Sequence, residues 1–202
     1  QIYLQGGGGP ASSRSDGMIN LLIPVGAGLL YRDSIEVLEQ RFPMYIKSLS
    51  IIEDSCGHGK YRGGPATEVI FGPRVNKMTV SLLGGGKLYP PQGVLGGLDA
   101  KSSYNGIIYE NNSKEELGDA MMVELMPGQF ICSIDSGGSG YGHPAYRDID
   151  RVLNDYDNKI VFYLEEGLYN SEKINFHPLI NTSTITTTTK DFVNFMIEKK
   201  KK

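Results

Sequence analysis

Short apolar runs alternate with turn-forming residues along most of the chain. Runs of about 4–8 residues rich in Val, Ile, Tyr and Phe, bounded by Gly, Pro, Asn or Asp, are typical of β-strands. Their spacing of roughly 8–12 residues is typical of a β-rich domain. The predicted strands are 2–4, 45–52, 67–71, 78–83, 106–109, 121–125 and 129–134.

Two segments have the spacing of helices instead. Asp33 followed by Glu36 resembles a capping box in which Asp33 is the N-cap, and Pro43 predicts that this helix ends near Phe42. Apolar residues recur every three or four positions in 149–156, which predicts a short amphipathic helix. We therefore predict an α+β fold: a β-rich domain with short helices and many glycine loops.

Glycine is the unusual feature of the composition. There are 26 glycines among 202 residues, against an ordinary content of about 7%. They are clustered and not periodic, which excludes collagen-like and repeat architectures. Such clusters occur where the backbone needs unusual dihedral angles or approaches another segment closely. The clusters are 6–9, 57–64, 84–86, 96–97 and 137–142.

Charge and hydropathy exclude two classes of partner. A net charge of −3 provides no basic field, so we expect no nucleic acid. No apolar run reaches the ~18 residues that a membrane helix needs, so we expect no membrane. Cys56 and Cys132 are too few for a disulfide framework and suit a reducing compartment, which favours the cytoplasm.

We divide the chain into a domain at 1–180 and a tail at 181–202. The tail is rich in threonine and lysine and offers little to a core, so we expect an exposed extension. The first residue is Gln1 rather than methionine, and apolar residues follow it directly. This start predicts a processed product or a fragment.

The run 54–64 holds the densest group of chemically active side chains. It is too rich in glycine for a regular helix or a central strand, so it is predicted to be a loop. Cys56 and His58 could supply two metal ligands, with His143 or Asp54 as a third. Cys56 could instead be a nucleophile with His58 or His143 as base, although a buried, inert thiol is the commoner situation.

Asp54, Arg62 and Glu36 form a second candidate set. An Asp and an Arg that flank a glycine loop often form an ion pair that pins it, and this structural interpretation is favoured. The same pair could bind a substrate carboxylate or amide. The Gly-Lys pairs at 59–60 and 86–87 lack the following Ser or Thr of a Walker A loop, so ATP binding by this chain alone is not predicted.

A second glycine-rich loop, 135–144, leads into the predicted second helix. Its backbone N–H groups could form an anion-binding nest at the start of a helix. The alternative is a tight strand-to-helix connection in which the glycines supply positive φ.

Several motifs in one order resemble a known family. The chain is similar to the C-terminal part of the hydantoinase B/oxoprolinase family, the B-type subunit of N-methylhydantoinases, and to the corresponding subunit of acetone and acetophenone carboxylases. The resemblance covers about residues 1–180. Its motifs are D-S-x-G-x-G-K-Y-R-G-G at 54–64, P-P-x-G-x-x-G-G at 90–97 and G-G-x-G-Y-G-x-P at 137–144, with Gly6 to Gly8, Asp16-Gly17, Glu36 to Glu39, Pro43, Arg147-Asp148 and Val152.

The resemblance implies a subunit of a multi-subunit, ATP-dependent enzyme. An A-type ATPase subunit would use ATP and Mg²⁺ to phosphorylate the carbonyl oxygen of a small-molecule substrate. The B-type unit would then complete hydrolysis of a cyclic amide, or carboxylation in the ketone carboxylases. A non-catalytic assembly subunit of such a complex is the third possibility.

The resemblance also implies what this chain lacks. A divalent metal (Zn, Mn or Fe) would be held by the N-terminal part of the B unit, expected on another chain, so that this chain alone would be inactive. Cys56 and His58 depart from the family pattern, which usually has Gly-Ala or a similar pair there. Ser139 stands where Gly is commoner, and the threonine and lysine tail has no counterpart. Asp54, His58 and Arg62 are predicted to lie nearest the chemistry.

Overall fold

The structure, a computed structural model, describes residues 6–21 and 33–161. Within these ranges it has two α-helices, seven strands and one short 3₁₀ turn at Pro144–Tyr146. The helices are α1 (Ile35–Arg41) and α2 (Ile149–Asp157). The strands are β1 (Met44–Ile51), β2 (Thr67–Pro73), β3 (Met78–Leu83), β4 (Tyr104–Ile108), β5 (Lys114–Glu116), β6 (Ala120–Leu125) and β7 (Phe130–Ile134). The predicted α+β class, rich in strands, is confirmed.

The strands form two antiparallel units. Five of them make a sheet in the order β1-β2-β7-β4-β5, and β3 pairs with β6 in a two-stranded ribbon. In the sheet Ile131 lies opposite both Phe71 and Ile107, and in the ribbon Leu82 lies opposite Met121. One core joins them, because Ile131, Phe71 and Leu82 belong to the same buried cluster. The ribbon therefore packs its apolar face against the sheet.

Helix α1 begins one residue later than predicted. Ser34 is the N-cap, and its hydroxyl accepts a hydrogen bond from the N–H of Val37 at 3.4 Å. Asp33 instead makes an exposed ion pair with Arg41 at 3.2 Å. The helix ends before Phe42, as Pro43 predicts. Serine and aspartate are similar in preference at an N-cap, so the sequence alone did not distinguish the two positions.

Strand β5 was missed by the sequence prediction, which left 111–119 as a polar connection. All three of its residues are charged and exposed, so no apolar alternation marks it. It exists because it pairs with β4, where Glu116 lies opposite Gly106. Charged residues on an edge strand are a common protection against pairing with other chains. The predicted strand at 2–4 and the tail at 181–202 lie outside the described residues.

Helix α2 confirms the predicted amphipathic segment. Asp148 is its N-cap, and a carboxylate oxygen accepts from the N–H of Asp150 at 2.9 Å. Val152 and Asp155 are its buried side chains, so one acidic group faces the protein interior. Neither helix of the described ranges has the length and apolar character needed to cross a bilayer.

Candidate functional site

Four glycine-rich segments that are far apart in sequence lie backbone against backbone. We call 6–9, 57–64, 93–98 and 137–142 together the glycine bundle. Their N–H groups donate mainly to carbonyl oxygens of other members of the bundle. Representative hydrogen bonds run from Gly64 to Gly9 (2.8 Å), from Gly138 to Gly64 (2.8 Å), from Gly57 to Gly138 (2.8 Å), from Gly140 to Leu98 (3.0 Å) and from Val94 to Gly140 (3.0 Å).

Close approach, and not positive φ, explains most of these glycines. A Cβ on Gly63 would lie closer than 3.0 Å to the carbonyl of Gly138, and a Cβ on Gly138 would lie as close to the carbonyl of Gly9. Neither residue has positive φ. Within 135–144 only Gly142 has a positive φ (72°). The prediction that the glycines of this loop supply positive φ is therefore correct at one position. Any side chain would separate the segments and break their hydrogen bonds.

The hydrogen bonds of the glycine bundle argue against the interpretation of loop 135–144 as an anion-binding nest. The N–H groups of Gly137, Gly138, Gly140, Tyr141 and Gly142 all donate to carbonyl oxygens of other segments. The N–H of Ser136 donates to its neighbour's carboxylate at 2.8 Å. An anion would have to displace these partners, so the tight connection is the better interpretation.

Arg62 is a buried member of the run 54–64. Its guanidinium Nε lies 2.8 Å from Oδ1 of Asp155, and a terminal nitrogen donates to the carbonyl of Gly63 at 2.9 Å. Its backbone N–H donates to Asp16 at 2.9 Å. The residue is only 6% exposed. The predicted pinning of the loop by an ion pair is therefore present, with Asp155 of α2 as the partner.

Arg147 extends this pair into a network. Its two terminal nitrogens bind the carboxylate of Asp16 at 2.7 and 3.0 Å, and one of them lies 2.6 Å from Asp155. We call Asp16, Arg62, Arg147 and Asp155 the ion network. It carries two positive and two negative charges, and it joins the glycine bundle to α2. Buried charges of this kind are tolerated when they are paired and hydrogen-bonded.

The network shifts the pKa values of its members. Burial raises the pKa of Asp16, but the hydrogen bond and charge of Arg147, with a smaller contribution from Arg62, lower it below its usual range. Burial by itself would lower the pKa of Arg147. Its contacts with Asp16 and Asp155 outweigh this effect, so the pKa lies above its usual value. Both groups are therefore charged at neutral pH.

Asp54 and His58 are held through their backbones. Asp54 has a φ of 51°, and its N–H donates to the carbonyl of Ile160 at 3.0 Å. The carbonyl of His58 accepts from Leu98 at 2.7 Å. Both side chains are half-buried. The assignment of Asp54, His58 and Arg62 as the residues nearest the chemistry stays a prediction.

Cys56 is poorly suited to nucleophilic catalysis. Burial raises the pKa of its thiol to about 11, and the positive charge of Arg62 offsets only part of this. Its side chain is 4% exposed and lies in a small apolar cluster with Ile160 and Val161. A thiol in this environment is protonated at neutral pH, and the thiolate is the reactive form. The buried, inert thiol is the better interpretation.

A metal centre formed by Cys56 and His58 finds no support in the described part of the chain. No group of three or more His, Cys, Asp or Glu side chains there could hold an ion. His143 is engaged otherwise: its Nδ1 accepts from the N–H of Ala145 at 3.1 Å and caps the 3₁₀ turn.

Sequence reasoning missed Asp155 and the role of Asp16. A usable signal was present for Asp155, because it lies three residues after Val152 and therefore on the buried side of α2. An acidic residue on an apolar helix face needs a cationic partner. No local signal indicated Asp16, whose partner is 131 residues away.

Comparison with known proteins identifies the family. The profile of the Hydantoinase B/oxoprolinase family matches residues 1–144, and the chain belongs to this family. It is 31% identical over 138 residues to the caprolactamase subunit beta of Pseudomonas jessenii, which covers 66% of this chain and 24% of that protein. It is 28% identical over 110 residues to the 5-oxoprolinase of Dictyostelium discoideum, covering 54% of this chain and 8% of that protein.

Solved structures share the fold. The ATP-dependent caprolactamase from Pseudomonas jessenii superposes with a TM-score of 0.66 at 25% identity, over 77% of this chain and 28% of the other. Acetone carboxylase superposes with a TM-score of 0.63 at 20% identity, over 78% and 25% of the two chains. At the latter identity the likeness shows the fold alone. The chain thus spans about a quarter of the length of these larger proteins, at 24–28%.

Proposed function

We propose that this chain is part of the B-type unit of an ATP-dependent, multi-subunit enzyme that hydrolyses a cyclic amide. The observation that carries the proposal is the family match over residues 1–144. Two relatives, a caprolactamase subunit and a 5-oxoprolinase, are named for cyclic amides. A reducing compartment, the cytoplasm, would suit the two free thiols.

The reaction would begin on a partner subunit. An A-type ATPase with ATP and Mg²⁺ would phosphorylate the carbonyl oxygen of the amide, releasing ADP and making the carbonyl carbon electrophilic. Water would add to that carbon, and the C–N bond would break as the ring nitrogen leaves as the amine. A second water would release phosphate from the resulting acyl phosphate, giving the open-chain acid. The divalent metal (Zn, Mn or Fe) would belong to the N-terminal part of the B unit, on another chain. Both assignments follow from the family resemblance.

The part played by this chain would be to hold the loop 54–62 in place. The ion network fixes Arg62, and the glycine bundle fixes the backbone at His58. We assign Arg62 a positioning role, because its guanidinium is used by Asp155 and Gly63. Asp54 and His58, which are only half-buried, are the members of the predicted set that can approach a substrate.

Reconstitution with the companion subunits tests this proposal. ATP hydrolysis and ring opening would be measured with ε-caprolactam, 5-oxoproline and hydantoin as substrates. His58→Ala and Asp54→Asn should lower turnover while the complex stays assembled, and Glu53→Gln, an exposed neighbour, should not. Turnover that is unaffected by either variant would contradict a role for this loop in the reaction. Dissociation of the complex would instead indicate a subunit that serves only assembly.

The alternative reaction is carboxylation of a ketone. Its support is the resemblance of the sequence motifs to those of the ketone carboxylases; the likeness to acetone carboxylase, at a TM-score of 0.63, adds only the shared fold. The same complex would then consume ATP in the presence of acetone and bicarbonate and would leave the cyclic amides intact. Measuring both reactions on one preparation distinguishes the two.

A further inference from the structure

The outward face of the ribbon formed by β3 and β6 is apolar at one end. Leu82 is buried in the core, so its neighbours along β3, Ser81 and Leu83, point to the opposite face. Residues that lie opposite each other in an antiparallel pair share a face, and Met122 lies opposite Ser81. Leu83 is 86% exposed and Met122 is 70% exposed. Two large apolar side chains are therefore diagonal neighbours on the outside of the ribbon.

A turn that follows β3 extends this apolar end. The N–H of Tyr89 donates to the carbonyl of Gly85 at 3.1 Å, which closes the turn. The N–H of Lys87 donates to the carboxylate of Asp119, the residue before β6, at 2.9 Å. The turn is thus attached to the same end of the ribbon, and the side chains of Leu88 and Tyr89 are exposed there. We call Leu83, Leu88, Tyr89 and Met122 the ribbon patch.

The charged groups around the ribbon patch already have partners. Lys87 forms an ion pair with Glu116 at 2.5 Å, and at the other end of the ribbon Lys77 forms one with Glu124 at 2.9 Å. Strand β3 has no charged residue, and Glu124 is the only one in β6. An apolar centre with polar groups at its border is typical of permanent protein–protein interfaces. This composition favours a permanent protein partner over a charged small molecule.

The edges of the ribbon also favour a protein partner. Within the described ranges β3 and β6 pair only with each other, so each strand has one edge without a neighbouring strand. The edge strand of the five-stranded sheet, β5, consists of three charged residues, which discourage pairing with another chain. No charged residue occurs at 81–83 or 120–122, at the apolar end of the ribbon. Natural proteins normally cover or charge such an edge, so we expect another element to lie against it.

The length of the relatives indicates which element this is. The chain spans 24% of the caprolactamase subunit beta and 28% of the chain in the solved caprolactamase structure. Most of each of those polypeptides therefore lies outside the matched region and is its permanent neighbour. The ribbon belongs to residues 1–144, which match the family.

We propose that the ribbon patch is the surface on which this chain binds the rest of the B-type unit. The partner would cover the patch with an apolar surface of its own and would protect the edges of the ribbon from other chains. The identity of the partner rests on the proposed function, whereas the exposed apolar surface is a property of this chain. A second copy of the chain, the A-type subunit and another segment of the same chain are the alternative occupants.

Methionine oxidation measures coverage of the ribbon patch without relying on activity. The full chain, alone and bound to the polypeptide that supplies the rest of the B unit, would be treated with hydrogen peroxide and analysed by mass spectrometry. Binding should slow oxidation of Met122 by about tenfold or more. Met126 is exposed but lies outside the patch, so its rate should not change. An unchanged rate for Met122, or failure of the two polypeptides to bind, would overturn the proposal.

The same oxidation rates distinguish the alternative occupants. Protection of Met122 that increases with the concentration of the isolated chain would indicate a second copy. Oxidation of Met122 that is slower than that of Met126 in the monomeric chain would indicate another segment of the same chain. Protection by the A-type subunit alone would indicate that subunit. Each of these three results would overturn the proposal.

A charge placed on the patch tests whether the patch contributes to binding. Met122→Lys and Leu83→Lys should each weaken binding of the partner polypeptide by about tenfold or more in calorimetry. Val75→Lys is the matched control, because Val75 is also exposed and apolar but lies in the turn before β3. All three variants should keep the melting temperature of the parent, since the substituted side chains lie on the surface. Equal binding by the three variants would overturn the proposal, and the oxidation test on the parent chain does not depend on their folding.

Failure of this proposal and failure of the proposed function give different results. An assembled complex in which Met122 is protected, but which opens no cyclic amide, would contradict the proposed function only. A complex that opens the ring while Met122 stays as reactive as in the free chain would contradict the role of the ribbon patch only.

Discussion

Replacement of Asp155 by alanine is the sharpest test of how the glycine bundle is held. The carboxylate of Asp155 serves two buried guanidiniums, at 2.8 Å from Arg62 and 2.6 Å from Arg147. The side chains of the three residues are 4%, 8% and 1% exposed, so water does not replace the lost partner. In the Asp155→Ala variant, Arg147 would keep its ion pair with Asp16. The guanidinium of Arg62 would keep only its hydrogen bond to the carbonyl of Gly63.

The expected cost follows from the burial of that unpaired charge. Removing one partner of a buried ion pair costs about 3–5 kcal/mol in the free energy of unfolding. For a protein of 150–250 residues, about 2–4 °C of melting temperature corresponds to each kcal/mol. Asp155→Ala should therefore lower the melting temperature by roughly 6–20 °C.

Thermal and urea unfolding, followed by circular dichroism, would measure this change. Asp157→Ala is the matched control, because it removes an exposed carboxylate from the same helix and should change the unfolding free energy by less than about 0.5 kcal/mol. Arg151→Ala removes a half-exposed partner of Asp16 at 3.5 Å and should cost at most about 1 kcal/mol.

Two further variants keep the test informative if Asp155→Ala fails to fold. Asp155→Asn retains the shape and the acceptor oxygen, so it should cost less than the alanine. Combining Asp155→Ala with Arg62→Met removes the unpaired charge and should recover part of the loss, because the second change eliminates the group left without a partner. An Asp155→Ala protein that loses less than about 1 kcal/mol would refute the reasoning.

Three other predictions concern the bundle and its titrating groups. Gly63→Ala should destabilise the protein by about 3 kcal/mol or more in urea unfolding, because the added Cβ would meet the carbonyl of Gly138. Gly85→Ala is the control and should not destabilise the protein, because its Cβ would meet nothing within 4 Å. Similar stability of the two variants would contradict close packing at Gly63. Because the folded-state pKa of Asp135 is raised, its stabilising contribution is present below the unfolded pKa and is lost as the pH rises through the folded value. Asp135→Asn should therefore unfold at a higher temperature than the parent at pH 7 and at the same temperature near pH 3; the reverse order would contradict this. Cys56 should react with a disulfide reagent at pH 8 only after unfolding, since burial raises its pKa to about 11, and rapid labelling of the native protein would show otherwise.

Local pattern was sufficient for most secondary structure. The strand predicted at 78–83 has the observed bounds, and the helix predicted at 149–156 extends one residue further, to Asp157. Both carry apolar side chains at the period of their element, and one face of each is buried. Strand β5 lacks that signal and was missed, because its pairing with β4 and not its own side chains makes it a strand.

The chemistry of the glycine runs was less accessible from sequence. The same residues allowed an anion nest, a metal site or a pinned loop, because an isolated loop sequence does not show which N–H groups have partners. In the structure the N–H groups of Gly138 and Gly140 already donate to other segments. Arg62 was expected to pin the loop, but its partner lies in a helix that begins 87 residues further along the chain, at Ile149.

The sequence by itself determined the α+β class, the places of most strands, the second helix and the family, because these depend on short-range periodicity and on the order of motifs. The tertiary structure alone decided why the glycines are needed and which charges meet. Close approach of Gly63 to Gly138, and the contact of Arg147 with Asp16 across 131 residues, depend on the path of the whole chain. Such contacts leave no local signature, since each partner is an ordinary glycine, aspartate or arginine until the fold brings them together.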